Sequence, residues 1–563
     1  MLLKLLRSFF QPDATPLIRR GLALRQQGAL RAAERVLREA AEKFPRDAAA
    51  AVNLALVLLE QNHAEAGAAQ LQRALAIDPG NGAAHYNLAN LLRNSGRLED
   101  AIRHYRHASQ AKPEIALARQ ELMFALLESC AWDEAEREAA LLRAQCNAKA
   151  EGWARAITPL TAVYLELDNA ACKAVAAWHA NEAAEGATPM RRSPRGTGDG
   201  RLRIGYLSQD FRDHPVGHLL SAGLPLHDRS RFEIFAYSTG ADDGSDVRKK
   251  ISQSVDRFVD IAAMSDADAA AAIAGDGVQV LIDLGGHTTG SRMGVLARRP
   301  APVQAHYLGH AATTGAAYID YFITDAIATP PECVDAFTEQ LATVPGCFML
   351  SGGAPANAGT VPTRASQGLP DAAMVFANFA NASRITRKVF GLWMKILQAV
   401  PGSVLWLKQS HATTVDNLRA AAQACGIDAA RLVFAARVTG NAEHRARLAL
   451  ADLSLDTIGW HHGHSTTNEM LWAGVPVLTH AGRAFASRVG ASLLTAAGLA
   501  EMIARDERDY IDIAVRLGTD RAQCAALKQK LAANKQHALF FDGRRIVAGL
   551  EAVYVEMWRL RSA

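Results

Sequence analysis

Cysteine is scarce in this 563-residue sequence: Cys130, Cys146, Cys172, Cys333, Cys347, Cys425 and Cys524 are odd in number, far apart and without a C-x-x-C pair. That argues against a disulfide framework or a structural zinc site, and a reducing, cytoplasmic setting is expected. Charge of one sign is lacking too. The 61 Lys+Arg and 57 Asp+Glu residues leave a net +4, too thin a surplus for a nucleic-acid partner. No run of about 20 apolar residues occurs, so no membrane span is expected. The opening MLLKLLRSFFQPDA is broken by Lys4 and Arg7 and followed by Pro12 rather than a small-residue cleavage site, which leaves weak surface attachment as its only membrane reading. What the chain has is length and a 49% hydrophobic composition, enough for three or four domains of about 150 residues.

An internal period occupies the first quarter. Pro45, Pro79 and Pro113 stand 34 residues apart, as do Asn53 and Asn87. The same ruler aligns Ala33, Ala101 and Ala135 and pairs Gly28 with Gly96, while Gly67 stands where its neighbours carry alanine. The pattern resembles the tetratricopeptide repeat, two antiparallel helices with small residues where they cross and a proline closing the second. Small side chains let helix axes approach to about 8–10 Å. Such a solenoid over 17–150 implies a polypeptide partner in its groove.

After a polar, Gly/Pro/Arg-rich stretch ending near residue 200, short apolar runs separated by helical segments predict buried parallel strands at 202–208, 232–238, 278–286, 303–309 and 319–325. The pattern restarts at 373–379, 403–409, 431–437, 453–459 and 475–480, with a helix over 385–400. Neither half carries G-x-G-x-x-G or G-x-x-x-x-G-K-[ST], which removes the dinucleotide and P-loop readings. Two Rossmann-like domains facing a cleft without those loops suggest a GT-B glycosyltransferase region. The expected domains are an N-terminal segment 1–16, repeats 17–150, a helical linker 151–200, a first catalytic half 201–355 and a second half 356–563 that ends in a helix over roughly 522–562 packed back on the first.

The stretch LSLDTIGWHHGHSTTNEMLWAGVPVLTH (453–480) concentrates candidate chemistry. It reads as strand, turn and helix, with Ser465, Thr466 and Thr467 at or near the helix N-cap. Free N–H groups, the positive dipole end and hydroxyl donors suit a phosphate there. Two other readings stay open: a metal site, although His461, His462 and His464 lack an i, i+4 pair or nearby cysteine, and an ordinary capped helix with solvent-facing histidines.

The region 200–563 resembles the O-linked N-acetylglucosamine transferases through DFRDHPVGHLL (210–220), the block GGHTTG…YFITD (285–325), LPDAAMVFANFANASRIT (369–386), PGSVLWL (401–407), GHSTTNEMLWAGVPVLT (463–479), ASRVGASLLTAAGL (486–499) and YIDIAVRLGTD (510–520). The resemblance implies transfer of N-acetylglucosamine from UDP-GlcNAc to Ser or Thr of polypeptides. It implies that His464, Ser465 and Thr466 hold the diphosphate, that Glu469, where the family has Asp, takes the ribose, and that His444 stacks on uracil. Asn441 replaces a family lysine, Arg384 replaces a family lysine against the leaving diphosphate, and Asn381 occupies a family Gln position. His214 matches a histidine of the catalytic pocket and Asp276 matches an acidic position that rivals it as the base.

His218, His287, Thr288, His306, His310 and Thr313 are expected on loops walling the sugar and acceptor. No D-x-D ends a strand, the DADA at 266–269 falling in a helical run, so no metal and no separate cofactor are expected. Implied partners are UDP-GlcNAc, an acceptor polypeptide and, optionally, a second copy in a homo-oligomer. The competing readings are a GT-B transferase with a non-protein acceptor and a catalytically silent repeat scaffold.

Overall fold

The computed structural model describes residues 13–111, 117–149, 152–190, 200–352, 362–438, 440–460 and 463–562; Pro113, His461, His462, most of the 1–16 segment and the side chain of Asn441 lie outside the described residues. Two compact units emerge, 1–142 and 143–563.

The first unit is a run of helix pairs: α1 (Thr15–Gln26), α2 (Leu30–Lys43), α3 (Ala48–Glu60), α4 (Ala64–Ile77), α5 (Gly82–Asn94), α6 (Leu98–Gln110), α7 (Ala118–Glu128) and α8 (Trp132–Ala148), the last running past the unit's edge. The second helices of the pairs begin at 30, 64, 98 and 132, so the 34-residue period is a period of structure. Each pair turns through a left-handed residue, Gly28, Asn62, Gly96 and Cys130, with φ of 75°, 62°, 81° and 57°. Two of these positions hide from a glycine search because Asn and Cys stand there. Gly67 is explained by its neighbour: a Cβ would lie 2.6 Å from Leu59 Cδ2, so the leucine fills the space that a methyl takes at the buried Ala33, Ala101 and Ala135. Gly96→Val is expected to cost the first unit about 1–2 kcal/mol through left-handed backbone strain, whereas Asn62→Gly leaves it unchanged or slightly steadier; chemical denaturation of the two variants checks the contrast.

The second unit opens with α9 (Pro159–Tyr164) and α10 (Asn169–Ala183) and then forms two parallel sheets. The first contains β1 (Leu202–Ser208), β2 (Phe232–Ser238), β3 (Arg257–Asp260), β4 (Val280–Asp283), β5 (Val303–His306), β6 (Tyr321–Thr324) and β7 (Gln340–Thr343) in the order β3-β2-β1-β4-β5-β6-β7. Among its connections are α11 (Pro215–Gly223), α12 (Asp246–Gln253), α13 (Asp266–Gly275) and α14 (Met293–Ala297). The second contains β8 (Val375–Asn378), β9 (Val404–Lys408), β10 (Leu432–Ala435), β11 (Leu453–Leu455), β12 (Val477–His480) and β13 (Ile503–Ala504) in the order β10-β9-β8-β11-β12-β13. Around it lie α15 (Arg387–Ala399), α16 (Ala412–Ala424), α17 (Asn441–Leu448), α18 (Ser465–Trp472), α19 (Val489–Ala496), α20 (Glu507–Thr519), α21 (Arg521–Asn534) and α22 (Gly543–Ser562).

All ten strands expected from apolar runs are present, because a parallel strand covered on both faces needs such a run. The three unforeseen strands, β3, β7 and β13, lie at sheet edges, where β3 and β7 keep exposed residues. The expected single C-terminal helix is two, α21 and α22. The break falls at a turn whose Phe540 and Phe541 pack on Trp472 at 6.1 and 5.0 Å between ring centres, while buried Asn534 donates to the carbonyls of Ala497 and Gly498. The final helix does pack on the first half. His227 Nδ1 bonds Glu551 at 2.9 Å, and Tyr206 bonds both His227 Nε2 and Tyr554, at 2.9 and 3.0 Å. Among the described residues no helix is long and apolar enough to cross a membrane.

Candidate functional site

In each sheet the chain reverses direction of strand addition once, between β1 and β4 and between β8 and β11. The crevice outside the carboxyl ends at such a switch point is where open α/β sheets bind ligands. All four loops leaving these strands carry candidate residues: 209–214 after β1, 284–288 after β4, 379–384 after β8 and 456–464 after β11.

The two halves enclose a cleft of about 340 Å³, lined from the first by Asp213, His214, His218, Ser351 and Gly352 and from the second by Arg437, Arg445, Ser465, Asn468, Glu469 and Trp472. Four expected site residues, His214, His218, Ser465 and Glu469, thus share one cavity. Two of its lining residues, Trp472 and Asn468, donate to the carbonyls of Ser351 and Leu350 across the halves.

On the second half, α18 begins directly after His464, whose side chain does not cap it. Its first N–H groups take no bond from that side chain, and Ser465 and Thr466 stand half-buried at its positive end. The loop before it is fixed by Asp456, which ends β11's run. Its Oδ1 accepts the Gly463 N–H and its Oδ2 the Thr479 hydroxyl, both at 2.8 Å. Burial pushes the Asp456 carboxyl up to about 7. His464 donates Nε2–H to the Ala486 carbonyl at 2.9 Å, and burial together with the Arg384 charge pulls it down to about 4, a neutral ring at neutral pH. Arg384 closes a short turn opened by Asn381, whose side chain accepts from Ser383 N–H at 3.0 Å. Burial lowers the Arg384 pKa and the Asp456 charge opposes that, so the guanidinium, Asp456 and His464 form one electrostatic group. His444, on α17, accepts from Arg447 at 3.0 Å, stands edge-on to Phe379 at 5.6 Å and brings Nε2 within 3.8 Å of Glu469.

Asp456 titrating near neutrality has a consequence for anion binding. Below about pH 7 its carboxyl is protonated and no longer offsets Arg384, so an anion is held more tightly; above, the offset returns. A doubly esterified diphosphate, whose charge is constant across this range, is expected to bind beside Arg384 more weakly from pH 6 to pH 8 and to take up protons on binding at pH 7. Asp456→Asn flattens both trends in calorimetry run in buffers of different ionisation heat.

On the first half, His214 stands at the N-cap position of α11, with Nδ1 3.3 Å from the Val216 nitrogen and 3.5 Å from Asp210 Oδ2. Burial lowers its pKa, against the pull of Asp210, so the ring is neutral at neutral pH. His218 pairs with Asp213 at 2.8 Å. Gly217 lets α11 lie on this loop: a Cβ there would sit 2.1 Å from the Arg212 carbonyl oxygen.

Six residues expected at the site lie elsewhere. Asp276 is not at the cleft. It precedes β4, at the amino edge of the sheet, where it accepts from Tyr237 at 2.8 Å, pairs with Arg257, and takes Arg203 on its backbone carbonyl. Thr313 is buried, its hydroxyl donating to Glu339 at 2.6 Å as part of a loop network. His310 is buried against Gly286, and its Nε2 has no hydrogen-bond partner among the described residues. His287 and Thr288 line a different cavity, about 360 Å³, with His179, Ser291 and Arg292. His306 donates to Asp283 at 2.8 Å; burial opposes its charge but that carboxylate outweighs it and raises the pKa.

Sequence reasoning missed Asp210, Asp456, Arg437 and Arg445. The first two were visible only as carboxylates closing a strand, and the two arginines only as cations flanking His444.

A repeat solenoid joined to paired Rossmann-like sheets with the site at both switch points defines a GT-B transferase architecture. The sequence signature described as Glycosyl transferase family 41 matches residues 130–356 and 350–550, and tetratricopeptide repeat signatures match 18–82 and 58–114. The chain belongs to glycosyl transferase family 41. It is 36% identical over 366 residues to a probable UDP-N-acetylglucosamine–peptide N-acetylglucosaminyltransferase of Arabidopsis thaliana, covering 64% of this chain and 37% of that one. It is 29% identical over 524 residues to the UDP-N-acetylglucosamine–peptide N-acetylglucosaminyltransferase of Caenorhabditis elegans, covering 72% and 45%. The chain thus spans less than half the length of these curated relatives. The solved structure of a Thermobaculum terrenum O-GlcNAc transferase mutant superimposes with a TM-score of 0.71 at 30% identity, over 98% of this chain and 99% of that one.

Proposed function

We propose that the chain transfers N-acetylglucosamine from UDP-GlcNAc to Ser or Thr hydroxyls of polypeptides with inversion at the anomeric carbon and without a metal ion. The observation that carries this reading is the cleft that joins His214 of one half to Ser465 and Glu469 of the other. Uracil and ribose go to His444 and Glu469. The diphosphate goes to the N–H groups and hydroxyls of Ser465 and Thr466, with Arg384 neutralising the charge that grows on UDP as the glycosidic bond breaks. His464, neutral and donating to Ala486, shapes the turn that presents them. The acceptor oxygen attacks the anomeric carbon from the face opposite UDP, the bond to UDP breaks with its electron pair, and the acceptor proton passes to His214.

The repeat unit supplies the surface for the acceptor polypeptide, and the free cysteines fit a reducing cytoplasm. The test is sugar transfer from UDP-GlcNAc to a Ser/Thr peptide library and, in parallel, to glycan and small-molecule acceptors, with and without EDTA. Peptide products unaffected by EDTA support the reading; transfer confined to non-peptide acceptors moves the chain to the second class, and donor hydrolysis dependent on metal overturns the proposed phosphate chemistry.

A further inference from the structure

Nδ1 of His214 faces two partners that demand opposite protonation. The Val216 N–H points at it from 3.3 Å and needs a lone pair there; the Asp210 carboxylate, 3.5 Å away, needs a proton there. Only one can be served at a time. If the helix-capping bond wins, the ring proton sits on Nε2, and the edge left to the cleft can donate but not accept. If Asp210 wins, the proton sits on Nδ1 and Nε2 holds the lone pair that a general base requires.

Asp210 is built to compete. It is 6% exposed, takes the Gln209 amide on Oδ2 at 3.1 Å and Arg212 on Oδ1 at 3.2 and 3.3 Å, and donates its own N–H to Ser208 Oγ at 2.9 Å. The same Gln209 amide reaches Thr288 at 2.9 Å, across the crevice between β1 and β4, which fixes the face that Asp210 turns to the histidine.

We propose that Asp210 is a positioning residue that sets the tautomer of His214, holding the proton on Nδ1 so that Nε2 can take the acceptor proton. This rests on His214 as the cleft base. As the acceptor O–H proton arrives at Nε2 the ring becomes an imidazolium, its Nδ1–H still donated to the carboxylate. The other charged groups facing the ring are Arg212, Asp213 and His218 from its own half and Arg437, Arg445 and Glu469 across the cleft.

The experiment uses the full chain labelled with 15N-histidine, His214 being identified by the signal lost in His214→Gln. Imidazole 15N shifts separate a protonated from a lone-pair nitrogen. The expected result is Nδ1–H in the wild type and Nε2–H in Asp210→Ala, with Asp210→Asn shifted the same way if the alanine variant fails to fold, and Asp210→Glu restoring the wild-type pattern in part. In rate measurements kcat falls at least about 100-fold with KM for UDP-GlcNAc within twofold, and the limb of the pH profile due to His214 moves to lower pH. A wild type already protonated at Nε2, or variants that keep Nδ1–H, overturns the proposal whatever the activity. No transfer to any acceptor by the wild type counts against the transferase reading and leaves the tautomer result standing.

Discussion

Arg384→Ala is expected to weaken UDP binding by at least tenfold and to lower the rate of sugar transfer by about 100-fold or more. The first figure follows from losing the charge-assisted contact to phosphate proposed above, about 1.5–3 kcal/mol; the second from removing the positive group proposed to face the charge that grows in the transition state. Arg384 closes the turn after β8 and is coupled through space to Asp456 and His464, so its loss also leaves Asp456 without the cation that favours its ionised form. Arg384→Lys keeps the charge and loses the fork, and is expected to fall between the two. Titration calorimetry of UDP against the three proteins, without metal and again with EDTA, reads the affinity directly. Wild-type affinity in Arg384→Ala would remove the guanidinium from the phosphate site.

The second large effect concerns stability. Glu551 on α22 accepts from both His227 Nδ1 and the Asp228 N–H, at 2.9 and 2.8 Å, and is buried together with His227, Tyr206 and Tyr554. Removing the acceptor leaves the buried His227 Nδ1–H without its partner, so Glu551→Ala is expected to destabilise the second unit by about 1–3 kcal/mol and to loosen α22 from the first half. Glu551→Gln, which still accepts one of the two bonds, costs less. The melting transition and protease sensitivity of α22 distinguish them, and equal melting of the wild type and Glu551→Ala would show that the helix is held by its apolar face alone.

The same network carries a pH signature. Burial outweighs the pull of Glu551 and lowers the pKa of His227, and burial likewise lowers His287, His310 and His464. The unfolded chain therefore binds more protons than the folded one below the ordinary histidine pKa of about 6.5. Stability is present above that value and is lost as pH falls through it toward the folded values. His306, raised by its Asp283 partner, opposes the trend in part.

Much of the second unit was legible because buried parallel strands must be apolar runs, and the loops that follow them carry polar residues with no packing reason to be there. Ser465 and Glu469 were found in that way, and His214 through a block resemblance that the cleft geometry then accommodates. The same kind of match misplaced Asp276, which stands before β4 rather than after it, and a parallel sheet keeps its two edges about a strand length apart. The repeat was read from proline, asparagine and alanine spacing, yet its left-handed turn at 62 and 130 is carried by Asn and Cys, which no count of glycines reveals.

By itself, then, the sequence determined the local choices: helix pairs every 34 residues, apolar strands in two sets, and hydroxyls and histidines after particular strands. Strand order within each sheet was decided only by tertiary structure, because it depends on which helices cover which face, and with it came the two switch points that bring four loops together. The pairing of Asp456 with Gly463, of Glu551 with His227 and of Asp210 with His214 belongs to the same level. The value of each of these carboxylates lies in the burial around it, a property of the packed chain rather than of the residue.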